Sequence, residues 1–290
     1  MSGLTVGEIA REAESSSLLD DLSDMGADRL AVPRTEPLDL RGYAELAIRG
    51  GFPEPALRLP VAERAPWLES YIDQLLTRDV SAISDRRDPQ LLRRYFEACA
   101  LNTAGVTDQE KIRGVAGVAR ATADAYERLL RNLLVVDMVP AWWTNRLKRL
   151  ARGPKRYIVD PSLALASLRL DVTGLMKDGD MLGRVLDTFV MAQLRAEAAR
   201  AASSPRLHHL RQEQGRREVD VIVEYGGGRV FGFEVKATSA PKRDDARHLA
   251  WLRDELGDRF IGGAVLHTGP RAFILDESIV AAPISSLWSS

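Results

Sequence analysis

The chain has 290 residues, of which 45% are hydrophobic and 28% are charged, a composition typical of a globular protein with sizeable cores. The 40 basic and 41 acidic residues give a formal net charge of -1, which argues against a global electrostatic field for nucleic acid or membrane lipid. The single cysteine, Cys99, excludes a disulfide framework, and no apolar run reaches the ~18 residues of a membrane span. We therefore expect a cytoplasmic protein that does not cross a membrane, and the sequence leaves its oligomeric state open.

The N-terminal part of the chain shows only short helical patterns. Glycine and proline interrupt residues 1–60, and helical spacing occurs around Val6–Ala13 and Asp39–Ile48. This pattern predicts an N-terminal segment that is not a domain by itself. Further on, apolar side chains recur every three or four residues over 65–83, which predicts an amphipathic helix, and a second helix follows over 89–102.

The middle of the chain has the pattern of a helix-turn-helix. Thr107 and Glu110 form a capping box that opens a short helix, glycines interrupt that helix, and a longer helix is predicted over 121–134. Two strand-prone runs, VVDMVPAWW and KRYIVD, then flank a basic segment in the layout of a wing. We predict a winged-helix unit over roughly residues 85–165, within a helical and winged-helix domain over 61–165.

The C-terminal part predicts a small α/β domain over 166–290. A long helix is predicted over 181–201, and residues 205–280 then alternate strand, strand, helix and strand. The predicted fold class is therefore α+β in three parts: the N-terminal segment 1–60, the winged-helix domain and this C-terminal α/β domain.

Three charged residues lie inside the apolar strands of the stretch REVDVIVEYGGGRVFGFEVKATS. Alternate residues of a strand share a face, so Glu234 and Lys236 are neighbours, and the YGGG turn allows the preceding strand to bring Asp220 beside Glu234. Two buried carboxylates raise each other's pKa unless a cation lies between them. Mg²⁺ or Mn²⁺ held by carboxylate oxygens would form a phosphodiester-cleaving centre, with Lys236 orienting the attacking water. The alternative is a solvated Glu–Lys ion pair worth less than about 1 kcal/mol.

A basic segment, NRLKRLARGPKR, separates the two strands of the predicted wing. It contains no acidic residue, and its basic residues are Arg146, Lys148, Arg149, Arg152, Lys155 and Arg156. On a wing these side chains would contact DNA phosphates, and each contact would add to the salt dependence of binding. A solvated hairpin and a docking surface for another domain are the alternatives. The sequence contains no Gly-rich P-loop, G-x-x-x-x-G-K-[ST], so no ATP site is predicted.

An aspartate ending one strand, a turn, and Glu-x-Lys on the next strand resemble the PD-(D/E)XK nuclease superfamily. In that superfamily an acidic residue on the preceding helix often completes the site, and GRVLDTFVMAQL offers Asp187. The resemblance implies that Asp187, Asp220 and Glu234 bind the metal and that Asp220, Glu234 and Lys236 are catalytic. Asp187 is one methylene shorter than the glutamate commonly found at its position.

A wider set of motifs, in order along the chain, resembles a prokaryotic family. The motifs include RGGFPEP, WLESYIDQLLTRDV, PAWWTNRLKRLARGPKRYIVDPSL, GRVLDTFVMAQL and FEVKAT. Members of this family join an N-terminal AAA-type ATPase domain to a winged-helix segment and a C-terminal domain of unknown function 4143, which has a PD-(D/E)XK-like fold. The opening LTVGEIAREAES resembles the end of the ATPase domain, so the resemblance implies a family member that lacks the P-loop part.

Three functions are consistent with these patterns. The first is a nuclease-like, DNA-associated protein that cleaves phosphodiesters with Mg²⁺ while the winged helix holds DNA. The second is a non-catalytic DNA-binding or regulatory protein that retains the nuclease fold as a scaffold. The third is a subunit of an assembly with an ATPase-bearing partner. The sequence leaves open whether the chain is an enzyme.

Overall fold

The computed structural model describes residues 3–10, 17–31, 38–81, 88–106, 109–144, 149, 152–212 and 215–288. Over these residues the fold is mixed α+β, which agrees with the predicted class, and the chain divides into two compact units. Unit 1 comprises Met1–Leu4, Ala44–Met138 and Pro154–Phe189, and unit 2 comprises Thr5–Tyr43, Val139–Gly153 and Val190–Ser290. None of the helices in the described ranges is long and apolar enough to span a lipid bilayer.

The predicted helices are present in the described segments, with small displacements of their ends. Those predicted over 65–83, 89–102, 121–134 and 181–201 correspond to α5, α6, α8 and α11 below, and Thr107 of the predicted capping box lies outside the described residues. In chain order the helices are α1 (Val6–Ala10), α2 (Leu18–Met25), α3 (Leu40–Arg49), α4 (Pro53–Leu57), α5 (Val61–Ser81), α6 (Pro89–Leu101), α7 (Gln109–Ala116), α8 (Arg120–Asn132), α9 (Pro161–Ser167), α10 (Val172–Lys177), α11 (Gly179–Arg200) and α12 (Arg247–Leu256).

The described strands form two sheets. In chain order the strands are β1 (Gly105–Val106), β2 (Val136–Val139), β3 (Lys155–Ile158), β4 (Arg206–Gln212), β5 (Arg217–Glu224), β6 (Val230–Lys236), β7 (Phe260–His267), β8 (Phe273–Asp276) and β9 (Ile279–Pro283). The first sheet has the order β1-β3-β2, and the second has the order β4-β5-β6-β7-β9-β8.

The core of unit 1 is built from amphipathic helices. On α5 the buried residues Leu68, Ile72 and Leu76 recur every four positions, so they lie on one face of the helix. They belong to one cluster with large buried side chains of α6 and α8, namely Tyr95, Phe96, Tyr126, Leu129 and Leu130. The order of α7, α8, β2 and β3 agrees with the predicted winged helix, and that finer assignment stays a prediction.

The RGGFPEP motif has a structural role in unit 1. Asp160 caps the N-terminus of α9 by accepting hydrogen bonds from the amide and hydroxyl of Ser162 at 2.9 and 2.6 Å. Its other oxygen accepts a bond from the amide of Gly51 at 2.7 Å. Gly50 has a φ of 65°, and a Cβ there would stand 2.3 Å from the Ser162 hydroxyl. Gly50 therefore lets the chain approach the buried aspartate closely.

Unit 2 is organised around the second sheet. Strand β6 pairs antiparallel with β5 and parallel with β7, and α12 forms the connection between β6 and β7, as predicted. The side chains of Leu249 and Leu252 on α12 are buried against the sheet. A Cβ at Gly232 of β6 would lie 2.6 Å from Leu249, so the glycine permits the close packing of helix and sheet. The antiparallel pair β8 and β9, which extends the sheet, was not predicted.

The N-terminal residues are an integral part of unit 2, although the sequence predicts only a separate segment. Leu18, Leu19 and Leu22 of α2 are buried, and the amide of Leu18 donates to Glu197 at 2.9 Å. The hydroxyl of Tyr225 donates to the carbonyl of Leu19 at 2.8 Å. Each unit therefore draws on segments that are distant in sequence, and the three-part division at 60 and 165 stays a prediction.

Candidate functional site

The carboxylates predicted to converge meet where β5 pairs with β6. Val221 lies opposite Phe233, so the next position of this register places Asp220 opposite Glu234. The pairing of β5 with β4 shifts by one residue near Asp220, which is a β-bulge, a feature that can redirect a side chain. Oδ2 of Asp220 accepts a hydrogen bond from the amide of Val235 at 3.0 Å. Asp220 is thereby held beside the strand that carries Glu234 and Lys236.

Glu234 is the most buried member of this group, with 3% of its surface exposed. Its Oε2 accepts a hydrogen bond from Nζ of Lys236 at 3.0 Å, whereas its buried Oε1 has no hydrogen-bond partner among the described residues. Burial of the carboxylate and repulsion by Asp220 together raise the pKa of Glu234 above its ordinary value. We refer to Asp220, Glu234 and Lys236 as the carboxylate cluster.

Lys236 stays charged in this setting. Burial by itself would lower the pKa of Lys236, but the carboxylates of Glu234 and Asp220 outweigh this effect and hold the pKa above its ordinary value. The ammonium group therefore partly neutralises the two carboxylates. The side chain is about one third exposed, so it can also reach a group that approaches from solvent.

His248 on α12 lies against the carboxylate cluster and was not singled out from the sequence. Its Nδ1 lies 2.7 Å from the carbonyl oxygen of Glu218 and 3.6 Å from Oε1 of Glu234. The nearby Glu234 carboxylate raises the pKa of His248 above its ordinary value. Histidine spacing could not identify this residue, because its relation to Glu234 depends on how α12 crosses the sheet.

Asp187, the third metal ligand implied by the nuclease resemblance, forms a buried ion pair in the structure. It lies in unit 1, where Oδ2 is 2.5 Å from Nζ of Lys155 and Oδ1 accepts a hydrogen bond from the hydroxyl of Tyr157 at 3.0 Å. Among the described residues no three histidine, cysteine or acidic side chains are grouped as they would be around a metal ion. The role of Asp187 as a metal ligand stays a prediction, and in this structure its charge is balanced by Lys155.

The two acidic residues of the carboxylate cluster, Asp220 and Glu234, meet the requirements of a Mg²⁺ site without Asp187. Mg²⁺ is usually held in proteins by one or two carboxylates and keeps several water ligands. Asp220 and Glu234 supply two carboxylates, and the buried Oε1 of Glu234 forms no hydrogen bond and lies 3.6 Å from Nδ1 of His248, so it is an acceptor that a cation would satisfy. A site of this kind needs no third acidic residue.

The basic residues predicted to contact phosphates do not form one surface. Arg146 and Lys148 lie outside the described residues. Lys155 and Arg156 are buried and form ion pairs with Asp187 and Glu127, respectively. The phosphate-contact prediction is therefore wrong for these two, since all four positions of β3 are buried and neither side of the strand faces solvent.

The other two basic residues of this segment are associated with tryptophans. Arg149 binds both carboxylate oxygens of Glu224 at 2.7 Å and lies over the ring of Trp142. Arg152 is exposed and lies over the ring of Trp143, with 4.8 Å between the guanidinium carbon and the ring centroid. Of the predicted phosphate-binding side chains in the described part of the chain, Arg152 is the one left open to solvent.

Two domain families match the chain. Residues 40–173 match the family described as Domain of unknown function (DUF8612), and residues 182–287 match Domain of unknown function (DUF4143). The second match confirms the predicted resemblance to domain 4143, and it contains the whole carboxylate cluster.

Two curated relatives are similar to nearly the full chain. They are the uncharacterized proteins Rv2008c of Mycobacterium tuberculosis and Mb2031c of Mycobacterium bovis, each 29% identical over 280 residues, or 93% of this chain. The chain spans 61% of the length of these relatives. Among solved structures, protein VC1899 from Vibrio cholerae is 15% identical with a TM-score of 0.23, and the match covers 82% of this chain and 54% of that one.

Proposed function

We propose that this chain is a DNA-associated protein whose unit 2 carries a nuclease-like, divalent-cation-dependent site. The observation that carries the proposal is the convergence of Asp220, Glu234 and Lys236 at one place on the sheet, with a buried carboxylate oxygen that forms no hydrogen bond and lies 3.6 Å from His248. Two carboxylates and a lysine in this arrangement are suited to phosphodiester cleavage. The finer assignment to a PD-(D/E)XK fold rests on the same residues.

In this proposal Asp220 and Glu234 hold Mg²⁺ or Mn²⁺. A cation at this position supplies positive charge to a phosphate oxygen and lowers the pKa of a water molecule. Lys236 already lies 3.0 Å from Glu234 and is partly exposed, so its ammonium can stabilise charge that develops on the phosphate. The hydrogen bond that the backbone amide of Val235 donates to Asp220 fixes the orientation of that carboxylate before a substrate binds.

The helix-turn-helix of unit 1 is proposed to hold DNA through α8. Arg120, Arg128 and Arg131 on this helix are exposed, whereas its apolar residues are buried in the core. Arginines on an exposed helix face can pair with backbone phosphates without reading bases. This surface replaces the buried Lys155 and Arg156 as the proposed site of phosphate contact in unit 1.

The test is cleavage of supercoiled plasmid DNA by the full chain with Mg²⁺ or Mn²⁺. We expect nicking that is lost in Glu234→Gln and Lys236→Ala, because each variant removes a charged group of the carboxylate cluster. The matched controls are Glu255→Gln and Lys242→Ala, which alter exposed residues of the same unit and should cleave as the original chain does. Activity that survives Glu234→Gln would refute the assignment.

A non-catalytic DNA-binding function is the second candidate, and the ion pair of Asp187 with Lys155 favours it. This pairing leaves two acidic residues for a cation where the superfamily pattern implies three. DNA binding that weakens with salt, is unchanged in Glu234→Gln and is accompanied by no cleavage with any divalent cation would support this function. An ATPase-bearing partner, the third alternative, stays a prediction that co-purification can test.

A further inference from the structure

A cavity with charged side chains in its lining lies in unit 2, beside the turn that joins β5 to β6. Its volume is about 540 Å³, within the range of sites that hold small molecules. Its lining includes Arg149, Arg206, His208 and Glu224 together with the turn residues Gly226–Gly228, and we call it the turn cavity. It shares no lining residue with the carboxylate cluster. Glu224 lies about 13 Å along β5 from Asp220, at about 3.3 Å per residue.

The lining of the turn cavity carries an excess of positive charge. The guanidinium of Arg149 donates to both oxygens of Glu224 at 2.7 Å, so one positive and one negative charge are paired. Arg206, exposed at the start of β4, has no carboxylate partner among the described residues. Two guanidinium groups thus face one carboxylate, and an anion would complete the charge balance.

His208 contributes an uncharged imidazole ring to the lining of the turn cavity. It is buried, and its Nε2 lies 3.4 Å from Glu224 without forming a hydrogen bond. The backbone of Pro140 lies close to the ring, but neither ring nitrogen forms a hydrogen bond of ordinary geometry among the described residues, which is unusual for a buried polar group. Burial lowers the pKa of His208, so the ring is neutral and keeps one donor and one acceptor.

The glycine turn leaves room beside these groups. No atom lies within 4 Å of the place where a Cβ would stand at Gly226, Gly227 or Gly228. Gly227 and Gly228 have φ values of 73° and 75°, which explains glycine at these two positions. Gly226 has no such requirement, and its open backbone forms part of the cavity wall.

We propose that the turn cavity binds a phosphate monoester of about the size of a mononucleotide. Arg206 would hold the phosphate, and the outward side of the Arg149 guanidinium would be a second donor. A phosphate monoester carries between one and two negative charges at neutral pH and presents three acceptor oxygens, which suits the guanidinium fork of Arg206, the remaining N–H groups of Arg149 and an imidazole. A carboxylate would satisfy fewer of these donors.

Isothermal titration calorimetry on the full chain tests this proposal. The probes are deoxyadenosine 5′-monophosphate, inorganic phosphate and, as the uncharged comparison, deoxyadenosine. EDTA keeps divalent cations away from the carboxylate cluster. We expect the monophosphate to bind one site per chain, inorganic phosphate to bind more weakly, and deoxyadenosine not to bind.

Two variants locate the site. Arg206→Gln should weaken monophosphate binding about tenfold or more, since it removes a charge-assisted contact from an exposed residue. Gly226→Trp should abolish binding by filling the cavity, with an unchanged melting temperature. Arg259→Gln, at an exposed arginine of the same unit, and Glu234→Gln should bind as the original chain does. The proposal is overturned if no probe binds at millimolar concentration, if deoxyadenosine binds equally well, or if neither variant at the cavity changes the affinity.

Discussion

Replacing Lys155 by methionine tests whether Asp187 is a structural partner or a metal ligand. The side chains of Lys155 and Asp187 are 3% and 10% exposed, and Nζ lies 2.5 Å from Oδ2. Lys155→Met keeps the unbranched shape of the side chain up to its terminal atom but leaves the Asp187 carboxylate buried without its cation. Breaking a buried pair on one side costs about 3–5 kcal/mol, because the desolvated charge is no longer balanced.

Thermal unfolding followed by circular dichroism measures this effect. With about 2–4 °C per kcal/mol for domains of this size, we expect the melting temperature of unit 1 to fall by roughly 10 °C. The double variant Lys155→Met with Asp187→Leu should recover most of the loss, since both charges are then absent. Asp180→Asn on the same helix disrupts an exposed pair with Arg184 and should change stability by less than about 1 kcal/mol.

A different result would refute the structural role. If Lys155→Met stays within about 1 kcal/mol of the original chain, the pair does not balance a buried charge. If Asp187→Asn keeps its stability and loses Mn²⁺ binding, Asp187 acts on the cation as the nuclease resemblance implies. Calorimetric titration of Mn²⁺ into the same variants separates these two readings.

Three further predictions concern other buried groups. In EDTA, Glu234→Gln should gain stability relative to the original chain as pH rises above 4.5, the ordinary pKa of a glutamate. Burial raises the pKa of Glu234 in the folded state, so ionisation of the buried carboxylate increasingly opposes folding above this pH. Parallel denaturation curves of the two chains in two buffers of different pH would show no such trend if the idea is wrong. Asp160→Ala should cost about 2–4 kcal/mol, measured by urea unfolding, because it removes a helix cap and leaves the Gly51 amide without its partner. Burial raises the pKa of Cys99 to about 12, so iodoacetamide should label this thiol only on unfolding, and rapid labelling of the native chain would contradict its burial.

The sequence predicted the relation between Glu234 and Lys236 because strand periodicity is a local property. Residues two apart on a strand share a face, and the observed 3.0 Å contact confirms their proximity. The position of Asp220 was harder to predict, since the β-bulge in β5 breaks the same periodicity at that residue. The contact of His248 with this group depends on a helix crossing, which no local pattern encodes.

The basic segment shows where local patterns mislead. A run of basic residues with no acid predicts a solvated surface, yet Lys155 and Arg156 are buried. Their partners, Asp187 and Glu127, are 32 and 29 residues away in the chain, so the neutralising charges are invisible in the run itself. The pair β8 and β9 did have a local signal, because FILD and IVAAP are strand-prone runs separated by a short polar turn.

The interleaving of the two units limits how the chain can be divided and how it can fold during synthesis. A fragment that begins at residue 166 would lack Thr5–Tyr43 and Val139–Gly153, and would expose the apolar surface that Leu19 and Trp142 cover in unit 2. On the ribosome, α2 emerges long before its partners Glu197 and Tyr225, and its apolar face has to remain uncovered until they appear. Internal insertion of a reporter at an exposed loop would therefore preserve unit 2 better than truncation.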